Sequence, residues 1–159
     1  MIHAYRLAFT DLVTTAFRTR GAPGRWNSKG TALVYSAEHP ALAALEMLTA
    51  WDAYVDFGGY HLYRCEIDDD ALLDAVPDVR SGRLDVQDVE ATRQCGDAWV
   101  EGRRSVALRV PSVVSAASYN YLLNPDHPDF DRSTRRSYLG PYRYDGRLLE
   151  LLDRAKSNS

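Results

Sequence analysis

The chain switches several times between two hydrophobic periods, and the switch points outline its elements. Residues 3–9, HAYRLAF, alternate apolar and polar positions and read as a first strand. Residues 19–30 lose any period and collect Gly, Pro, Asn, Ser and Arg, which marks a loop. Thr31–Ala37 reads as a second strand. Pro40 then suits the first turn of a helix, where its missing N–H is not needed, and apolar character carries that helix to about Trp51. Tyr60–Ile67 returns to period two. Asp88 is placed to cap a helix over 88–102, with Val89, Trp99 and Val100 among its apolar positions. Val106–Val114 and Tyr119–Leu123 read as strands interrupted by Pro111 and a turn of small residues. Asn124-Pro125 and His127-Pro128 mark a loop, Tyr142–Tyr144 a short strand, and Arg147–Ala155 an amphipathic C-terminal helix.

Strands outnumber helices and come in pairs without strict βαβ alternation. The pattern therefore predicts an α+β protein and not a doubly wound nucleotide fold. With 159 residues, no internal repeat, no low-complexity tract and no dividing linker, a single domain over residues 1–159 is expected.

Charge changes this picture little in total and more in its distribution. The net charge is −3, so no general field draws the chain to nucleic acid or to an anionic membrane. Residues 66–90 hold nine acids against Arg80 and Arg83, a pattern that reads as a solvated acidic face. Residues 132–147 hold five arginines against Asp145, open to reading as a phosphate contact, a partner surface or an exposed face. Cys65 and Cys95 form no CxxC pair and have no histidine pair beside them, which disfavours a disulfide scaffold or a zinc site. No signal peptide is visible, and no apolar run approaches the ~20 residues that span a bilayer, so a soluble cytoplasmic protein is expected.

The densest candidate chemistry lies in GRWNSKGTALVYSAEHPALAALE, residues 24–46. Glu46 is the only charge in PALAALEMLTAW, and it sits at the edge of the stripe formed by Leu42, Leu45 and Leu48. A carboxylate buried in such a helix needs a partner or a use. The residues leave both open: an ion pair with an early arginine, or catalysis. Arg6 lies in an otherwise apolar strand, a costly place for a guanidinium without a counterion, and the Glu46 partner is the plain reading. Arg25 sits in a loop bounded by Gly21, Gly24 and Gly30, where its planar fork could take a phosphate or carboxylate. Tyr35 could stack on a ligand ring or fill the core. Ser112, among the apolar residues of ALRVPSVV, lacks a GxSxG elbow and a histidine base, so it reads as structural or ligand-contacting, not as a nucleophile. His3, His39, His61 and His127 form no metal pattern, and neither a GxxxxGK[ST] loop nor a GxGxxG fingerprint is present.

Taken in order, these pieces resemble the RES-domain family, the toxin half of bacterial modules with Xre-type antitoxins. The resemblance runs through AYR at 4–6, residues 24–46, ALRVPS at 107–112, YNYLLNPDHPDF at 119–130 and YRYDGRLL at 142–149. The family's arginine, glutamate and serine correspond here to Arg6 or Arg25, Glu46 and Ser112. His39 departs from the Ser or Thr that often precedes the family's helix proline. The resemblance implies a split, mostly antiparallel sheet with flanking helices, related to diphtheria-toxin-like ADP-ribosyltransferases.

It also implies a toxin that cleaves the nicotinamide–ribose bond of NAD⁺ and passes ADP-ribose to a protein, water or phosphate. Glu46, Arg6 and Ser112 would be catalytic, with Arg6, Arg25, Tyr35, Ser112, Asn120 and Asn124 binding the substrate. NAD⁺ is then a substrate and not a prosthetic group, and no metal is called for, because nicotinamide leaves as a neutral ring. The implied partner is an Xre-type antitoxin whose C-terminal region lies near the active site, in a hetero-oligomer, with a target protein as a further partner and no nucleic acid or membrane. The competing readings are an RNA-cleaving toxin, disfavoured by the net charge and the lack of an acid–base pair beside a basic groove, and a non-catalytic nucleotide- or antitoxin-binding module.

Overall fold

A computed structural model describes residues 1–49 and 59–157. Seven strands form one sheet: β1 (Ile2–Ala8), β2 (Val34–Ala37), β3 (Tyr60–Ile67), β4 (Leu72–Asp74), β5 (Ala107–Pro111), β6 (Tyr119–Leu123) and β7 (Thr134–Tyr142). Their order is β4-β5-β6-β2-β1-β3-β7, and every neighbouring pair is antiparallel except β4 with β5. The helices are α1 (Val13–Ala16), α2 (Pro40–Thr49), α3 (Val76–Arg80), α4 (Val89–Glu101), α5 (Phe130–Ser133) and α6 (Gly146–Ser157). The fold is α+β, as the sequence pattern predicts. Among the described residues no helix is long and apolar enough to cross a membrane.

Strict alternation sorts the strands' side chains onto two faces. On one face Ala4, Ala8, Val34, Tyr63, Cys65, Ile67, Tyr121 and Leu123 pack with Phe17 and Phe130 around α1 and α5. On the other face are two separate clusters. Leu7, Ala37 and Tyr60 pack against Leu42, Ala43 and Ala44 of α2. Leu108, Val110 and Leu122 pack against Trp99 of α4 and Trp26 of the loop before β2. The gap between these two clusters lies over the middle of the sheet.

The sheet itself is weakest at that point. β1 pairs with β3 along its whole length, from Ile2 opposite Ile67 to Ala8 opposite His61, whereas β1 meets β2 only at Tyr5 opposite Ala37. The expected split thus falls between β1 and β2.

Several boundaries differ from the expectation. α2 is described as far as Thr49, and the predicted extension to Trp51 lies outside the described residues. Its inward residues are Leu42, Ala43 and Ala44, while Leu45, expected on the buried stripe, is 39% exposed. Residues 72–80, read as part of an acidic surface, supply β4 and α3, because Leu72 and Leu73 pair alongside Ala107 and Leu108. The basic stretch forms α5 and the long edge strand β7, in place of a short strand at Tyr142–Tyr144. Four of its five arginines are matched with carboxylates: Arg132 with Asp129, Arg135 with Asp68, Arg136 with Asp131 and Arg147 with Asp145. That pairing removes most of the cationic character from which a phosphate or acidic-partner surface would be built.

Candidate active site

A cavity of about 650 Å³ opens over the split, lined from the strands by Tyr5, Arg6 and Tyr35, from α2 by Glu46, from β6 by Asn120, and from the loop before β2 by Arg25. Each residue arrives there for a local reason. Glu46 lies one turn beyond Leu42 and Ala43, which are buried against the sheet, so its half-buried carboxylate projects along the same flank of the helix. Asn120 alternates with Tyr119 and Tyr121 on β6 and shares its face with Leu122.

The Glu46 carboxylate is held by two donors on a single oxygen. Ser112 Oγ donates to Oε1 at 2.7 Å, and Asn120 Nδ2 donates to the same Oε1 at 2.6 Å. The serine proton has no alternative destination, because its oxygen already accepts the backbone N–H groups of Val114 and Ser115, each at 3.1 Å. Those bonds also close the turn after β5, together with Ser112 N–H to the Ser118 carbonyl at 2.8 Å. Among the described residues the second oxygen, Oε2, has no protein donor. Asn120 Oδ1 is buried without a partner, a cost of roughly 1–3 kcal/mol that follows from turning the amide N–H toward the carboxylate.

This arrangement decides against the ion-pair reading of Glu46. No arginine among the described residues bridges to Glu46. Arg6 instead donates its Nε to the Ala16 carbonyl at 2.7 Å and its Nη1 to the Tyr35 carbonyl at 2.8 Å, tying the end of α1 to β2 across the split. Arg25 Nη1 donates to the Val86 carbonyl at 2.7 Å.

Tyr35 is held at its hydroxyl, which donates to Asn27 Oδ1 at 2.7 Å and accepts Trp26 N–H at 2.9 Å. Burial pushes its phenol up to about 12, so it stays a neutral donor. The ring therefore fastens the loop as well as lining the cavity. Asn27 is fully buried and spends its amide on the Ala22 and Thr31 carbonyls, so it serves as the keystone of the 22–31 loop.

The structure brings Glu46, Ser112, Asn120, Arg6, Arg25 and Tyr35 to one place, Ser112 by way of Glu46. Asn124 does not join them. It lies at the far end of β6, roughly 13 Å from Asn120 by the ordinary rise per residue. There it is buried, its Oδ1 accepting Asp126 N–H at 3.1 Å, and it closes the loop that the two prolines mark. Sequence reasoning missed Asn27, whose only signal was an amide between Trp26 and Ser28 in a glycine-rich loop. It also missed Val113 and Val114, which line the cavity beside Glu46.

The RES domain model matches residues 3–145. The chain is 34% identical over 135 residues to a protein of Sphingobium sp. (strain YBL2) named Prs ADP-ribosylating toxin, covering 79% of this chain and 80% of that one. It is 30% identical over 149 residues to Toxin Res of Yersinia enterocolitica, covering 91% of this chain and 97% of the relative. Among solved structures, a chain of the M. tuberculosis MbcT–MbcA toxin–antitoxin complex superposes with a TM-score of 0.66 over 95% of this chain and 88% of that chain, at 18% identity, a likeness of fold. From the extent of these matches, this chain belongs to the RES-domain family.

Proposed function

We propose that this protein is the toxin of a toxin–antitoxin module and that it cleaves the nicotinamide–ribose bond of NAD⁺. The observation that carries the reading is the Glu46 carboxylate, oriented through one oxygen by Ser112 and Asn120 on the wall of a cavity that two arginines also line. Its volume of about 650 Å³ lies within the ~300–1,000 Å³ of small-molecule sites. The names of the relatives, an ADP-ribosylating toxin and Toxin Res, support the same direction.

In this mechanism the bond from ribose C1′ to the nicotinamide nitrogen breaks with its electron pair on nitrogen. The cationic ring leaves as neutral nicotinamide, and positive charge develops on the ribose. Glu46 Oε2 faces that charge and stabilises it, an electrostatic role that is strongest where the carboxylate is already aligned. A hydroxylic acceptor then forms the new bond to C1′ and gives up its proton, for which the carboxylate is a suitable base. Arg25 and Arg6 supply positive charge for the pyrophosphate, and Tyr35 offers an aromatic face. Ser112 acts through Glu46 and is neither nucleophile nor general acid. The acceptor is a protein, water or phosphate, and an Xre-type antitoxin is the partner that restrains the activity.

The test is release of nicotinamide from NAD⁺ by the purified chain, alone, with inorganic phosphate, and with cell lysate containing labelled NAD⁺. Release that disappears in Glu46→Gln is expected. Binding of NAD⁺ without release would leave a binding module, and full turnover in Glu46→Gln would remove Glu46 from the chemistry.

A further inference from the structure

One face of α4 grips the backbone of the loop that carries Arg25. Thr92 Oγ1 donates to the Arg25 carbonyl at 2.7 Å, and Arg93 Nε donates to the Gly24 carbonyl at 2.8 Å. Asp97 Oδ1 accepts the Ser28 N–H at 3.0 Å. Between these contacts the Trp26 carbonyl lies against Gly96 so closely that a Cβ at that position would collide with it. Residues 92, 93, 96 and 97 fall on one side of the helix by its 3.6-residue period, and they engage four of the five residues from Gly24 to Ser28.

Each of these contacts is to main chain on the loop side, and the Asp97 carboxylate also takes the side chains of Ser28 and Thr31. The grip therefore fixes the path of residues 24–28 without taking up the Arg25 side chain. Thr92 is fully buried, and its single hydroxyl proton is shared between the Arg25 carbonyl and, at a longer 3.0 Å, the Val89 carbonyl of its own helix. From the opposite side Tyr35 holds the Trp26 N–H. The loop is pinned between a helix and a strand, and Arg25 is the cavity-lining cation that this pinning places.

The geometry points to Thr92, Arg93 and Asp97 as positioning residues for recognition of a dinucleotide pyrophosphate, acting through the loop and touching no ligand themselves. The inference rests on the proposed NAD⁺ reading. It assigns to α4 a share of substrate affinity and none of the bond-breaking step, for which Glu46, Ser112 and Asn120 are held independently by α2, the turn after β5, and β6.

The test pairs disruptive with conservative variants. Thr92→Val keeps the shape and removes the hydroxyl, whereas Thr92→Ser retains it. Arg93→Met keeps the stem and removes the donor, whereas Arg93→Lys retains a donor. For Thr92→Val combined with Arg93→Met, KM for NAD⁺ and Kd for ADP-ribose by calorimetry should each rise by about tenfold or more, with kcat at saturation within about threefold of wild type. Thr92→Ser and Arg93→Lys should stay close to wild type. Amide exchange at Trp26 and Ser28 should quicken in the double variant while the core strands keep their protection.

A purely structural role would lower kcat through loss of folded enzyme and leave KM unchanged, and that result overturns the inference. If the double variant fails to fold, the isosteric Thr92→Val decides the matter alone, and unchanged affinity there is equally fatal. Wild-type protein that binds ADP-ribose but releases no nicotinamide would sink the catalytic reading, and the α4 inference would then be decided by ADP-ribose affinity. Wild-type protein that binds neither ligand overturns both.

Discussion

The Ser112 hydroxyl lies 2.7 Å from Glu46 Oε1 and accepts two backbone N–H groups of its own turn, so one side chain ties the β5–β6 connection to the carboxylate of α2. Ser112→Ala removes both functions together. Nicotinamide release should fall by roughly 10–100-fold in kcat with KM within about threefold, because the carboxylate keeps its charge but loses one of the two donors that align it, and the arginines remain. Stability should fall by about 1–2 kcal/mol as the Val114 and Ser115 amides lose their acceptor, read from the urea midpoint. Wild-type kcat in a folded Ser112→Ala would show that Glu46 needs no orienting donor.

Gly96 offers a case in which helix propensity and packing predict opposite signs. Alanine in a helix interior is favoured over glycine by about 1 kcal/mol. Here the new Cβ would meet the Trp26 carbonyl, which is backbone and cannot rotate away. Gly96→Ala should therefore destabilise by about 2 kcal/mol or more, and affinity for ADP-ribose should weaken as the loop is pushed off α4. An increase in the thermal midpoint would contradict this account of the loop's seat.

Ala117 adopts φ 60°, a left-handed backbone that an L-residue with a Cβ enters at a cost. It sits in the turn between Ser112 and Ser118, where the bond from Ser112 N–H to the Ser118 carbonyl fixes the closure. Ala117→Gly relieves the clash and gives back part of the gain as unfolded-state entropy, for a net stabilisation of about 0.5–1 kcal/mol. Chemical denaturation with an unchanged m value is the measurement, and any loss of stability would argue against strain at this residue.

Alkaline pH should unfasten the loop through Tyr35. Burial raises its phenol from 10.0 to about 12 in the folded chain. The folded form holds its proton more tightly than the unfolded form, so this contribution is complete below the ordinary tyrosine value and is lost as pH rises through the folded one. Wild-type stability should decline between those two values, and Tyr35→Phe should decline less steeply, having one fewer ionising group. At neutral pH the same variant should lose about 1–2 kcal/mol for its two hydrogen bonds. Parallel pH profiles for the two proteins would exclude Tyr35 as a source of the decline.

How much of this was legible in the sequence depends on what each segment had to say locally. Tyr60–Ile67 was predicted with its observed ends, because this strand, flanked on both sides, keeps a clear apolar–polar alternation from Tyr63 to Ile67. β7 was not, because TRRSYLGPY carries two arginines, a glycine and a proline. An edge strand tolerates Pro141, while Asp68 from the end of β3 and Asp131 from the adjoining α5 balance Arg135 and Arg136. Glu46 stood out as a lone charge, whereas Ser112 and Asn120 were singled out through the family resemblance and carry no local mark as its holders. Ser112 sits in the turn after β5 and Asn120 on β6, and only the adjacency of those strands brings both to α2. The grip of α4 was hidden for a related reason. Thr92, Gly96 and Trp99 form its inward stripe, so a period search weighted toward large apolar residues reads two of the three as outward.

Because Oε1 is fixed by residues 66 and 74 positions downstream, the order of synthesis bears on the carboxylate. A nascent chain that has emerged only through β3 already carries Glu46, but neither hydroxyl nor amide to aim it. The site is completed by the last third of the polypeptide, so translation stopped short of β6 leaves a product that keeps the charge and lacks the instrument.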